Sequence, residues 1–149
     1  MSIALPETVV PGAGEKLARS ACGPTLSPVL DHIVIPVSDL AASRGFYERA
    51  LSPLGMGVVL EFPGMVGFGR DRKPDFWMRE GEARDPVHVA FRAPDRATVD
   101  AFHAAALDAG GVDNGGPGVR EIYHPQYYGA FVLDPDAHNV EAVCHDAPG

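Results

Sequence analysis

At 149 residues and 46% hydrophobic composition, the chain is sized for about one domain with a genuine core. Its formal net charge of −8, with 12 Lys and Arg scattered and no basic block, argues against a phosphate-tracking groove and against nucleic acid or anionic membrane as partners. There is no bilayer-length apolar run, no charged start before an apolar core, and only Cys22 and Cys144, so a soluble cytoplasmic protein without a disulfide framework is expected.

Residues 1–29 carry Pro6, Pro11, Pro24 and Pro28, several glycines and no sustained periodicity. They read as an extension or linker with one short helical turn near Glu15 to Ser20, foremost as a disordered tail and alternatively as an arm for a neighbouring subunit. Strand signals begin at Val29 and run through Ile33, Val34, Ile35 and Val37. Period-2 geometry puts His32, Val34 and Pro36 on one face and Ile33, Ile35 and Val37 on the other. Ser38-Asp39 offers an N-cap. Ser43, Phe46, Tyr47, Ala50, Leu51 and Leu54 then recur at helical spacing, so Leu40 to Leu51 is an amphipathic helix stopped by Pro53 and Gly55. Three short strands are expected after it, at Met56 to Glu61, Met65 to Gly69 and Pro74 to Arg79, punctuated by Pro63-Gly64 and Asp71 to Pro74.

The order then repeats at an offset of 56 residues: His32 to Asp39 aligns with His88 to Asp95, Phe46 with Phe102, Leu51 with Leu107 and Gly55 with Gly111. Val87 to Arg92 is the second first-strand and Asp95 its cap. Val99, Phe102, Ala106 and Leu107 form the buried helix stripe, and Gly110-Gly111 the stop. Gly110 to Gly118 is expected to lead into a long loop carrying Arg120, Tyr123, His124, Pro125 and Tyr127. Gly129 to Asp134 and Asn139 to His145 read as closing strands around Asp134-Pro-Asp-Ala-His138.

Leu30-Asp-His-Ile-Val-Ile-Pro-Val, His88-Val-Ala-Phe and Asp134-Pro-Asp-Ala-His-Asn-Val-Glu141, in this doubled order, resemble the vicinal oxygen chelate superfamily. That superfamily comprises glyoxalase I, extradiol dioxygenases, fosfomycin-type resistance enzymes and bleomycin-binding proteins. The resemblance covers Leu30 to His145 and implies an α+β fold: two βαβββ modules, 30–80 and 86–145, forming a curved mixed sheet around a cleft. Residues 146–149 are a tail. Ala137 stands where glycine would be usual, so that turn is expected to differ slightly.

Carried over residue by residue, the resemblance places metal ligands at His32, His88 and Glu141. Independently, the two histidines are repeat mates, and Glu141 is a carboxylate within the apolar strand Val140 to Cys144, costly there unless paired or bound to a metal. The fourth family position falls on Trp77, which is no ligand for a hard metal. Two histidines and a carboxylate leave open positions and suit a divalent Fe, Mn, Ni or Zn ion.

Arg92 shares the parity of His88 and is a candidate for an anionic substrate group; Arg120, His124 and Trp77 are further substrate-binding candidates. Tyr123 and Tyr128, with Glu141, are candidate catalytic groups able to donate to an oxyanion or move a proton. His145 is expected to be exposed and Cys144 to pack beneath a helix. His103, on the outer side of the second helix, and His138, in a turn, are poor ligand candidates. The leading reading is a metal-dependent enzyme chelating vicinal oxygens of a small substrate, with lyase, isomerase or dioxygenase chemistry. The alternative is a metal-free drug- or small-molecule-binding protein. Exposed sheet edges favour a homodimer.

Overall fold

The computed structural model describes residues 29–147, so the expected N-terminal extension and its helical turn lie outside the described residues, apart from Val29. The first module runs β1 (Ile33–Val37), α1 (Leu40–Ala50), a 3₁₀ turn (Ser52–Leu54), β2 (Gly57–Phe62), β3 (Met65–Arg70) and β4 (Lys73–Glu80). The second runs β5 (His88–Arg92), α2 (Arg96–Asp108), β6 (Val112–Val119), β7 (Tyr128–Leu133) and β8 (Asn139–Cys144). The strands form two four-stranded sheets of identical plan, β1-β4-β3-β2 and β5-β8-β7-β6. In each, the first strand pairs parallel to the last, and the other pairings are antiparallel.

Both helices start where an aspartate caps them. Asp39 accepts from the Ala42 N–H, and Asp95 accepts from both the N–H and the hydroxyl of Thr98. Those bonds hold the Asp95 carboxyl below its usual range. Ser43, Phe46, Tyr47 and Ala50 of α1 and Val99, Phe102 and Ala106 of α2 are buried. Leu107 departs from expectation at 37% exposure: it lies at the rim of the apolar stripe. The helices pack against each other, and one core joins both modules through Phe46, Tyr47, Phe68, Phe76, Phe102 and Val132. Each helix covers one face of its sheet and leaves the other open.

The segment Gly110 to Gly118 does lead into the loop carrying Arg120 to Tyr127, but it is largely strand β6, which the sequence does not suggest. Glycine disfavours strands locally, yet here it is paired to β7 with two register shifts, an irregular edge that tolerates small residues. Strand β1 also begins later than expected, so His32 sits just ahead of it.

The turn between β7 and β8 ties the modules together. Asp136 accepts from the N–H and hydroxyl of Ser38, and Tyr47 donates to buried Asp134 (2.8 Å). His138 is fully buried: its Nδ1 accepts from the Val87 N–H (3.0 Å), so the proton sits on Nε2 and goes to the Pro36 carbonyl (2.8 Å). Ala137 takes φ 66°, the left-handed value a glycine would adopt without strain. Asp134 Oδ1 accepts from the N–H groups of Asp136 and His138, which fixes the turn around it.

Candidate functional site

Register defines the site. Val34 pairs with Trp77 across β1 and β4, and Ala90 pairs with Glu141 across β5 and β8. Since Val34 and Ala90 are repeat mates, Trp77 and Glu141 occupy equivalent places on the two open sheet faces.

On the second module, Glu141 is 2% exposed, and its two oxygens take different partners. Oε2 lies 2.9 Å from His88 Nε2, and Oε1 accepts from the Tyr127 hydroxyl. Burial, then the Glu141 contact, raises the Tyr127 phenol above its ordinary range, keeping it protonated. His88 is half-exposed, and its Nδ1 faces the Asn139 amide at 2.7 Å; Asn139 in turn accepts from Asn114. As arranged, the amide donates to Nδ1, and Nε2 carries the proton shared with Glu141.

On the first module, His32 Nδ1 donates to Asp31 (2.7 Å), which also pairs with Lys73; these contacts, His32 first, lower the Asp31 carboxyl. His32 Nε2 has no hydrogen-bond partner among the described residues. Trp77 lies flat on Gly67, where an added Cβ would come within 2.9 Å of the indole. Phe62 stacks beside it, at 6.0 Å between centroids and 15° between planes.

His88 and Glu141 therefore meet, but His32 stays on the other module. Among the described residues no three metal-ligating side chains converge. Arg92 does not join His88 and Glu141; it lines a seam cleft of about 270 Å³ with His32, Arg70, Phe76 and Phe91. Tyr128 is on the helix side of its sheet, donating to Asp100 of α2 (2.8 Å), away from Glu141. Its neighbour Tyr127 is the tyrosine that reaches Glu141. The alternation of side chains from β7 would have separated the two, had the start of that strand been legible. Tyr123 is 62% exposed and packs on Tyr127. His124 lies 2.8 Å from His145, which is exposed as expected. Cys144 is buried in the core, while His103 is more enclosed than its expected outer position, pairing with Asp113 at 3.0 Å.

Comparison with known proteins agrees with this architecture. The model of the Glyoxalase/Bleomycin resistance protein/Dioxygenase superfamily matches residues 29–142, and the chain belongs to that superfamily. A glyoxalase/bleomycin resistance protein from Albidiferax ferrireducens T118 is 27% identical with a TM-score of 0.66, covering 78% of this chain and 98% of its own. A glyoxalase/bleomycin resistance protein/dioxygenase family enzyme from Burkholderia phytofirmans PsJN shares the fold at 19% identity and TM-score 0.63, over 78% and 98% of the two chains. A glyoxalase-related enzyme from Fulvimarina pelagi does so at 18% and 0.59, over 75% and 84%. No curated protein matches the chain significantly in sequence. Among the described residues, no helix is long and apolar enough to cross a membrane.

Proposed function

We propose that the protein is a divalent-metal-dependent enzyme whose centre is completed between two copies, with His88 and Glu141 from one and His32 from the other. One observation carries the reading: the repeat-related histidines, His32 at the seam cleft and His88 on the second sheet, are each already half prepared for a metal. His32 is oriented by a carboxylate on Nδ1 with Nε2 left free, the arrangement that metal-ligating histidines use. His88 Nε2 and Glu141 Oε2 lie within one bite of each other. Imidazole and carboxylate suit a divalent Fe, Mn, Ni or Zn ion.

Within one chain the fit is partial, because only two of the three donors meet. A homodimer that sets the first module's open face against the second module's would supply the third. Such an ion supplies Lewis-acid stabilisation to an oxyanion on a substrate with two neighbouring oxygens, as lyase, isomerase or dioxygenase chemistry requires. The chain's own groups prepare for this. For His88 to ligate through Nε2, the proton now shared with Glu141 must leave, and the Asn139 amide must turn to accept from Nδ1. Tyr127 keeps a proton beside the carboxylate that faces the substrate.

Metal analysis of protein purified without added metal, followed by calorimetric titration with Mn(II), Ni(II) and Zn(II), tests the reading. His32→Ala and Glu141→Ala should each weaken binding at least tenfold, and mixing the two variants should restore one intact site per mixed dimer. Unchanged binding in both variants would sink the metal reading; loss without restoration on mixing would sink the two-chain centre. The near-parallel Trp77 and Phe62 rings favour one alternative, a metal-free small-molecule binder, which is the outcome if the parent takes up no metal yet ligand quenches the single tryptophan.

A further inference from the structure

The glycine-rich strand β6 touches the His88–Glu141 site only through Asn114, which donates to Asn139, yet it also shapes one further side chain. Arg120, just past the end of β6, folds back along it. Its Nη2 donates to the Gly116 carbonyl (2.7 Å), and its guanidinium lies 5.6 Å from the Phe131 ring centroid. Gly118 makes the room, since a Cβ there would stand 2.8 Å from Nη1. Gly115 is glycine for its φ of 139°, and the fork passes it at ordinary contact distance. Gly118 takes no left-handed φ, so its lack of a side chain serves space, not backbone conformation.

The guanidinium is on the open face. Gly115, Phe131, Glu141 and Ala90 form one row across β6, β7, β8 and β5, and the Phe131 ring is 6.1 Å from that of His88. Arg120 is half-buried, and among the described residues no carboxylate pairs with it. A planar fork that is half desolvated, backed by an aromatic face and free of a protein counter-charge is set to receive an oxyacid anion in two parallel hydrogen bonds.

We propose that Arg120 is a specificity-determining residue that binds an anionic carboxylate or phosphonate group of the ligand. The ligand's apolar or aromatic segment would cross Phe131. Two strand spacings separate β8 from β6, so the anion would lie about 10 Å from Glu141. Joining this anion to a ligand anchored at His88 and Glu141 rests on the proposed function; the anion subsite itself does not.

The test therefore uses metal-stripped protein. Benzoate, phenylphosphonate and benzamide are titrated in turn while NMR follows the Arg120 Nε–H and the amides of Gly116 and Gly118. One or both anions should shift these resonances saturably, and benzamide should not; which anion binds tighter names the group. Arg120→Gln should weaken anion binding at least tenfold. Arg120→Lys should retain part of it, and Gly118→Ala, which keeps the charge but displaces Nη1, should weaken it at least threefold. The proposal is overturned if neither anion shifts these resonances, if shifts appear only at the Arg70–Arg92 seam, or if Arg120→Gln binds the anions like the parent. Metal binding lost on Glu141→Ala alongside any of these results would leave the proposed function standing while this subsite fell.

Discussion

The two modules share strand order, helix caps and register, and they differ where their open faces carry chemistry. At the place where the second module holds Glu141 beneath His88 and Tyr127, the first holds Trp77 flat over Gly67. His32 leans on Asp31, whereas its mate His88 leans on Glu141 and Asn139. Side chains facing the shared core must match the packing between helices and sheets, so the repeat survives there. Open-face side chains answer to no such packing, and the halves diverge into an aromatic surface and a polar one.

The glycine pair Gly55 and Gly111 gives the strongest way to break this comparison. These repeat mates need glycine for different reasons. Gly55 adopts φ 71° in open space, whereas a Cβ on Gly111 would meet Val132 at 2.4 Å, Phe46 at 2.8 Å and the Ala106 carbonyl at 2.9 Å. Gly111→Ala should destabilise by about 3 kcal/mol through overpacking where α1 meets the second module. Gly55→Ala should cost about 1 kcal/mol through backbone strain alone. Urea unfolding of both variants checks the pair, and equal losses would mean that the modules do not use their glycines differently.

A second expected effect concerns the bond between modules. Burial raises the Asp134 carboxyl above its unfolded value, so its contribution to stability is fully present below pH about 3.8 and is lost as pH rises through the folded value. Tyr47 opposes that loss by donating to the ionised form. Tyr47→Phe should therefore destabilise by about 1–3 kcal/mol near neutral pH, and the loss should shrink on acidification as Asp134 protonates. Unfolding curves of parent and variant across the acid range measure it.

The smallest effect is that of Asp95, the exposed cap of α2, whose carboxyl is lowered by its bonds to Thr98. Its stabilisation is present above the unfolded carboxyl range and disappears as pH falls through the depressed folded value. Asp95→Ala should lower the thermal midpoint at neutral pH and converge with the parent in acid.

Much of the fold was legible because it is written in local periodicity. The helix stripes, the Asp39 and Asp95 caps, and the strands on either side of Asp134 to His138 all follow from spacing and short-range hydrogen bonding. Strand β6 was not, because glycine carries no strand preference and its pairing to β7 is a long-range matter. The distinction between Tyr127 and Tyr128 was lost because β7 starts at Tyr128, one residue earlier than expected, and one residue sends a side chain to the opposite face.

By itself, the sequence determined that the chain is a duplication, that His32 and His88 are mates, and that Trp77 stands opposite Glu141 in the repeat. Tertiary structure alone decided which of these residues meet. His88, Glu141 and Tyr127 converge because β5, β8 and the start of β7 lie side by side in one sheet, whereas His32 belongs to a sheet that no strand pairing joins to it. Repetition sets equivalence, but contact depends on how the two sheets are packed, and that is fixed by the helices and the buried Tyr47, Asp134 and His138 between them.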